Sequence, residues 1–227
     1  MIAEGFIVKD QFAHKYNYDH ALTYYLKHRK SWSRKLSDWR EQSLARKALN
    51  YAGKSQTVLD LPCGTGRFWP LLTEKKDRHI IAADSSLDML KVAIEHCPEK
   101  MRSQIELLHT SAYNINLADN YVDTIFCLRL LHHIGDKDKR RRILEELYRV
   151  TRKNVLLSLW VDGNFKAHRR RNRDLARDET NPAQHRNRFL FKREYIEQEF
   201  YRTGFTIATY YDLLPGYSMW RTYVLQK

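Results

Sequence analysis

The chain has 227 residues, 43% of them hydrophobic and 12% aromatic, which is enough apolar side chain to fill the core of one α/β domain. Its 40 Lys and Arg against 27 Asp and Glu give a formal net charge of +13, an excess that favours an acidic partner. The three cysteines, Cys63, Cys97 and Cys127, form no CxxC pair and no cluster with histidine at metal-ligand spacing. The sequence therefore predicts reduced thiols and no metal site.

The N-terminal segment "MIAEGFIVKDQFAHKYNYDH" lacks the apolar core of about 7 to 15 residues that a signal peptide carries. No stretch of the sequence approaches the roughly 18 apolar residues of a transmembrane helix. The expectation is a cytoplasmic protein without a transmembrane segment.

Residues 18–52 have a helical pattern, with Tyr and Trp interleaved among Lys and Arg, and predict an N-terminal helical cap over residues 1–52. From Thr57 onward, short apolar runs alternate with amphipathic segments, as in a doubly wound parallel sheet. The predicted strands are residues 57–61, 79–83, 105–109, 124–128 and 154–160, and the predicted helices are residues 66–74, 86–96 and 138–151.

After Trp160 the alternation pauses for a polar, basic insertion, residues 161–191, which is predicted to form a lid. It resumes with a helix over residues 192–202 and two terminal strands, "FTIATYYDLL" and "SMWRTYVLQK". The prediction is one α/β domain, residues 1–227, with a doubly wound, mostly parallel seven-stranded sheet.

The segment "TVLDLPCGTGRFWPLL" predicts a nucleotide-binding loop. A strand ending in Asp60 turns through Gly64 and Gly66, where the absence of Cβ atoms lets backbone N–H groups approach a ligand. The dinucleotide fingerprint needs a third glycine where Trp69 stands, and the P-loop needs a Gly-Lys-Ser or Gly-Lys-Thr that is missing. An acid at the loop entrance repels pyrophosphate but attracts a cationic amino acid, which favours S-adenosylmethionine.

"VLDLPCGTGRF" resembles the first motif, D-x-G-C-G-T-G, of class I S-adenosylmethionine-dependent methyltransferases. The resemblance continues in order over residues 57–160 through "IAADSSLDMLKVA", "SAYNINLADNYVDTIFCLRLLHHI" and "ILEELYRVTRKNVLLSLW". It is closest to the subgroup that includes the ubiquinone-type methyltransferases. It implies the Rossmann-like methyltransferase fold, with the helical cap and the basic insertion after strand five.

The resemblance also implies the cofactor site. Asp84, at the end of strand two, corresponds to the acid that holds the ribose hydroxyls. Two departures are Pro62, in place of the usual glycine, and Ser111, where many relatives carry an Asp that accepts from the adenine amine. The expected cofactor-binding residues are Asp60, Pro62, Cys63, Gly64, Gly66, Asp84, Ser85, Met89, Ser111, Ala112 and Leu128.

Candidate catalytic residues follow strand four. His132 and His133 are candidates for a general base because imidazole titrates near neutral pH; the alternative is that they pack at the start of a helix. Arg129 is expected to face the methionine part of the cofactor or an acidic substrate, and its alternative is a surface arginine.

The positive charge is concentrated in two basic segments. Residues 27–47 carry eight Lys or Arg against two acids, and residues 151–193 carry twelve against four, so these segments account for the whole excess. In the resembled fold both lie over the carboxyl ends of the strands, where they suit RNA, a phosphosugar or an anionic lipid headgroup at a peripheral membrane contact. The alternative is a solvated lid whose arginines pair with its own acids.

The predicted function is methyl transfer from S-adenosylmethionine to an acidic or phosphorylated acceptor, a small molecule or an envelope precursor. An RNA methyltransferase is the alternative, although no Asn-Pro-Pro-Tyr or Asp-Pro-Pro-Tyr follows strand four, which weighs against methylation of base nitrogens. A cofactor-binding regulator without catalysis is the second alternative. The acceptor atom and the oligomeric state stay open.

Overall fold

The computed structural model describes residues 18–27, 32–180 and 188–227. The strands, numbered in chain order, are β1 (Thr57–Asp60), β2 (His79–Asp84), β3 (Ile105–His109), β4 (Val122–Cys127), β5 (Thr151–Trp160), β6 (Thr206–Asp212) and β7 (Trp220–Gln226). They form one seven-stranded sheet in the order β3-β2-β1-β4-β5-β7-β6. Only the pairs that include β7 are antiparallel, so the predicted mostly parallel, doubly wound sheet is confirmed.

The helices are α1 (Tyr18–Lys27), α2 (Trp32–Tyr51), α3 (Trp69–Leu72), α4 (Leu87–Glu95), α5 (Glu99–Arg102), α6 (Lys137–Val150), α7 (Phe165–Thr180) and α8 (Arg193–Thr203), with a short 3-10 helix at Leu131–His133. α1 and α2 form the described part of the predicted cap. Residues 1–17 and 28–31 of that cap, and residues 181–187 of the predicted lid, lie outside the described residues. None of the described helices is both long and apolar enough to cross a membrane.

The central strands are buried because helices cover both faces of the sheet. Val58 packs with α2, α3 and α4 on one face, and its neighbour Leu59 packs with α6 and α8 on the other. β4 is buried at every position, as expected for a strand of a parallel sheet that helices cover on both faces.

Two helices begin at a side-chain cap. The Ser86 side chain accepts a hydrogen bond from the Met89 N–H (3.3 Å) and caps α4, as the pattern over residues 86–96 predicts. Asp136 accepts from the Lys139 N–H (2.9 Å) and caps α6, which begins at Lys137, one residue before the predicted start.

Two predicted elements need correction. The helix predicted over residues 66–74 contracts to the four residues of α3, because Gly66 has a φ of +74°, a left-handed conformation that cannot continue a right-handed helix. The insertion after β5 contains a helix of 16 residues, α7, where the polar composition predicted only a lid. The short helix α5 had no sequence signal.

The strand order reverses between β1 and β4, since β2 and β3 lie on one side of this pair and β5 to β7 on the other. In open α/β sheets, ligands bind in the crevice at the carboxyl ends of the strands beside such a reversal. The residues that follow Asp60 and Cys127 are therefore placed at this crevice. That residues 1–227 form a single domain stays a prediction.

Candidate active site

The glycine loop between β1 and α3 is held to the end of β2 by two backbone donors. The Cys63 N–H donates to the Ala83 carbonyl oxygen (2.8 Å), and the Gly64 N–H donates to Oδ2 of Asp84 (2.9 Å). A Cβ atom added to Gly64, whose φ is +54°, would meet nothing within 4 Å. Open space therefore lies beside the loop at the point where the sequence predicts a ligand. Pro62, half-buried, precedes these residues in the turn.

Asp60 is a buried carboxyl group at the end of β1, only 2% exposed. Among the described residues, its Oδ2 atom has no hydrogen-bond partner. Burial raises the pKa of Asp60 well above its ordinary value, the charge of Asp84 raises it further, and the Trp69 indole opposes the rise, although its Nε1 atom makes no hydrogen bond of normal geometry to a described residue. Because buried polar atoms are normally paired, an unpaired carboxyl oxygen at this edge fits a cationic group of a ligand.

Asp84 joins the glycine loop to the start of α4. It is 7% exposed, and its Oδ1 atom accepts from the Ser86 N–H at 2.9 Å, while Oδ2 accepts from Gly64. The next residue, Ser85, bonds through its carbonyl oxygen to the imidazole of His109 (3.1 Å). Two of the predicted cofactor residues, Gly64 and Asp84, thus contact each other directly.

The other predicted cofactor residues have more ordinary surroundings. Met89 packs against Ala21 of α1, and Leu128 is 5% exposed in the core layer next to α2. Ser111 accepts from the Tyr113 N–H (3.3 Å) in a local turn, and Ala112 packs against the opposite core layer. The turn is joined to β2 because the Thr110 N–H donates to the Asp84 carbonyl oxygen (3.2 Å).

Arg129 lies just past β4 and has a φ of +65°, uncommon for a residue with a side chain. Its N–H donates to Oγ of Ser158 (3.0 Å), and its guanidinium pairs with Glu41 of α2 (3.3 Å). Glu41 also accepts from Arg67 of the glycine loop (2.6 Å). Glu41 therefore connects the cap to both sides of the crevice. Sequence reasoning missed this residue, because the sequence shows it only as one acid within a basic segment.

The structure does not favour His132 as a general base. The ring is 3% exposed, and burial, followed by the nearby His133, Arg129 and Arg188, lowers its pKa to about 2. A group with this pKa is neutral at physiological pH and is a weak proton acceptor. The His133 ring, half-buried, lies 3.9 Å from that of His132, and its catalytic role stays a prediction.

His132, His133, Trp160 and Trp220 form an aromatic cluster at the crevice. The His132 ring centroid lies 5.1 Å from that of Trp160 and 4.7 Å from that of Trp220. The two tryptophans are register partners of β5 and β7, with ring centroids 5.6 Å apart. Sequence reasoning treated both only as strand residues, since nothing local shows that the end of β5 meets the beginning of β7.

Several cations of the basic segments have acidic partners. Arg170 pairs with Asp174 within α7 (3.2 Å), and Arg171 pairs with Asp162 (3.4 Å). Part of the insertion therefore matches the alternative of a lid that pairs with its own acids. Arg169, which is exposed, has no carboxylate partner among the described residues and lies over the Phe165 ring at 6.0 Å.

Comparison with known sequences finds methyltransferases over the middle of the chain. Residues 58–154 match the family described as a methyltransferase domain. A demethylmenaquinone methyltransferase of Listeria monocytogenes is 30% identical over 49% of this chain and 46% of its own length. The tRNA (carboxymethyluridine(34)-5-O)-methyltransferase of Arabidopsis thaliana is 28% identical over 46% of this chain and 24% of its own length. The chain thus spans less than half the length of these curated relatives.

Solved structures show the same fold at low sequence identity. Magnesium protoporphyrin IX methyltransferase from Synechocystis PCC 6803, solved with bound S-adenosylhomocysteine, is 14% identical, with a TM-score of 0.66 over 87% of each chain. Human N-acetylserotonin methyltransferase in complex with S-adenosylmethionine is also 14% identical, with a TM-score of 0.69 over 96% of this chain and 59% of that one. This chain has the fold of the class I S-adenosylmethionine-dependent methyltransferases, and its residues 58–154 match a methyltransferase domain.

Proposed function

We propose that this chain binds S-adenosylmethionine at the carboxyl ends of β1 and β2 and transfers the methyl group to an anionic acceptor at the end of β4. One observation carries the proposal: Oδ2 of Asp60, buried and without a partner among the described residues, lies at the crevice edge whose glycine loop has open space beside Gly64. The residues present fit a cationic amino acid joined to a nucleoside. When bound, the cofactor supplies a methyl group activated on a sulfonium.

The cofactor roles follow from the positions of the two acids. Asp60 would pair with the ammonium group, directly or through water. Asp84 would accept from the ribose hydroxyls, since its carboxylate lies at the carboxyl end of β2 and contacts the glycine loop directly. The turn at Ser111 and Ala112 would border the adenine.

On the acceptor side, the chain mainly has to align the acceptor and exclude water, because the sulfonium is already a good leaving group. A neutral His132 is compatible with this role, since an acceptor that is already anionic or an uncharged amine needs no general base. The guanidinium groups of Arg129 and Arg188 near His132 support an acidic or phosphorylated acceptor. We favour a small molecule or an envelope precursor as the acceptor. RNA is the alternative, because α7 carries exposed cations.

Gly64→Ala is expected to weaken S-adenosylmethionine binding at least tenfold, about 1.4 kcal/mol, because the added methyl group enters the space that the cofactor needs. The φ of +54° should also cost about 1 to 2 kcal/mol of unfolding free energy. Titration calorimetry and urea unfolding measure the two effects. Gly163→Ala is the matched control: its φ is +81° and its Cβ also meets nothing within 4 Å, so it should lose similar stability and keep full affinity. If Gly64→Ala and Gly163→Ala bind S-adenosylmethionine with equal affinity, the cofactor does not bind beside Gly64.

The acceptor class is tested by incubating the full chain with methyl-labelled cofactor and a fractionated lysate. Label in acidic small molecules or lipid precursors supports the proposal. Label in RNA, with binding that weakens steeply as salt rises, supports the alternative. Tight cofactor binding without label in any fraction would show a regulator without catalysis.

A further inference from the structure

The aromatic cluster lies on the β4 side of the crevice, opposite the two acids of the cofactor site. Trp160 ends β5 and Trp220 begins β7, and their rings meet edge to face, at 78° to each other. Trp220, half-buried, retains more exposed surface than Trp160. One aromatic side chain of this pair thus remains partly accessible, while the other is buried beneath it.

Three guanidinium groups surround these rings. The Arg129 guanidinium carbon lies 5.0 Å from the ring centroid of Trp220, and those of Arg170 and Arg188 lie 5.0 and 5.8 Å from that of Trp160. Glu41 pairs with Arg129 and Asp174 with Arg170. Arg188 has no carboxylate partner in the described part of the chain. The cluster therefore retains positive charge for an anionic ligand.

Two buried polar atoms of the cluster have no hydrogen-bond partner among the described residues: Nε1 of Trp160 and Nδ1 of His132. Their side chains are 6% and 3% exposed. An indole N–H can only donate, and a buried donor without an acceptor is rare in folded proteins. An oxygen atom of a bound molecule would satisfy it.

The position of these residues in the chain points to specificity. Trp160, Trp220, Arg170 and Arg188 all lie outside residues 58–154, the part that matches the methyltransferase-domain family. The insertion reaches the site through Phe189, whose N–H donates to the His132 carbonyl oxygen (2.7 Å). Residues from outside the matched segment therefore meet His132, which lies inside it.

We propose that the aromatic cluster, together with Arg129 and Arg188, is the acceptor subsite and takes a small planar aromatic molecule that carries an anionic group. This inference rests on the proposed function. The ring of the acceptor packs against Trp220, its anionic group faces Arg188 and Arg129, and an oxygen on the ring accepts from the Trp160 indole. The neutral His132 positions the acceptor and does not remove its proton.

The test uses the full chain saturated with S-adenosylhomocysteine and follows binding by tryptophan fluorescence and calorimetry. The planar anions 2-hydroxybenzoate and phenyl phosphate, which separate a carboxylate from a phosphate, are compared with the saturated anion cyclohexanecarboxylate and with neutral phenol. We expect at least one planar anion to bind at least tenfold more tightly than both comparators. Equal binding of planar and saturated anions, or no binding of any probe, would overturn the proposal.

Two variants test whether the preference for planar anions arises at the aromatic cluster. Trp220→Leu and Arg188→Gln should each weaken the planar anion at least fivefold while the affinity for S-adenosylhomocysteine stays unchanged. Arg188 is exposed, so Arg188→Gln should fold normally. It therefore provides the test if Trp220→Leu fails to fold. The matched controls are Trp39→Leu, at an exposed tryptophan of α2, and Arg202→Gln, at an exposed arginine of α8; both should bind as the wild type does.

The two proposals fail in different ways. Loss of the planar preference with normal S-adenosylhomocysteine binding would overturn the acceptor subsite alone. Absence of S-adenosylhomocysteine binding by the wild-type chain would overturn the proposed function. If a single-stranded RNA binds instead, and Trp220→Leu and Arg188→Gln weaken it while neither planar anion binds, the subsite serves RNA and the small-molecule inference is wrong.

Discussion

Asp60→Asn is expected to weaken S-adenosylmethionine binding at least thirtyfold, about 2 kcal/mol. The substitution keeps the shape of the side chain but removes the charge that would pair with the ammonium group in a buried site, where the side chain is 2% exposed. Titration calorimetry at pH 8 measures the loss. An affinity within threefold of the wild type would show that Asp60 does not contact a cationic part of the cofactor.

The same carboxyl should make cofactor binding depend on pH. Burial raises the pKa of Asp60 in the unbound protein, whereas a paired cation favours the ionised form. The affinity of the wild-type chain should therefore rise with pH until the raised pKa is passed and then level off, with release of a proton on binding. Asp60→Asn should show no such rise between pH 5 and pH 8.

The effect of Asp60→Asn on stability should have the opposite sign. A folded-state pKa above the unfolded value means that the folded chain holds the proton more tightly, so wild-type stability falls as pH rises towards the raised pKa. The Asn side chain does not titrate. Its melting temperature without cofactor should therefore exceed that of the wild type at pH 8, and the difference should shrink at pH 5.

Asp123→Asn is the matched control at the other end of the sheet. Burial alone would raise the pKa of Asp123, but the backbone N–H groups of Thr57 and Gln56 and the nearby Lys153 outweigh burial and lower it. The Asp123 carboxylate therefore stabilises the fold at neutral pH, and this contribution is lost as pH falls through the lowered pKa. Its Asn variant should melt below the wild type at pH 8 and bind the cofactor normally.

Gly66→Ala is expected to lower the unfolding free energy by about 3 kcal/mol, through a strained backbone and a steric clash. The φ is +74°, and the added Cβ would lie 2.7 Å from the Trp69 indole. Trp69 is 1% exposed, so the ring cannot move away without disturbing the core beneath the glycine loop. Urea unfolding measures the change.

Gly163→Ala separates the two causes, because it has a φ of +81° and open space around its Cβ. It should lose only about 1 to 2 kcal/mol, the cost of the left-handed backbone. Equal losses in the two variants would show that Trp69 adapts to the methyl group and that the packing between loop and helix is not tight.

Much of the fold could be predicted because its signals are local. Apolar runs of four to six residues mark the buried strands, and Ser86 marks the start of α4 by the geometry of its own hydrogen bond. The helix predicted to begin at Gly66 was placed too early, since an apolar pattern does not show which glycine adopts a positive φ. α7 was missed because its pattern of cations shows no continuous apolar face.

The residues of the candidate site also divide into those with a local sequence signal and those without one. Asp60, Gly64 and Asp84 could be selected from the sequence, because each stands at a strand end or in a turn that the chain itself defines. Glu41 could not, since its bonds to Arg67 and Arg129 join residues 26 and 88 positions away. The pairing of Trp160 with Trp220 likewise depends on the antiparallel addition of β7 to the sheet.

The sequence by itself determined the alternation of strands and helices, the glycine loop with its leading acid, and the concentration of positive charge, because periodicity, turn chemistry and composition are properties of neighbouring residues. Only the tertiary structure decided which groups are buried and what they face. Burial lowers the pKa of His132 to about 2 and raises that of Asp60, and both shifts arise from contacts between distant parts of the chain. Residue type alone made His132 a candidate base, whereas its surroundings set the pKa of its imidazole.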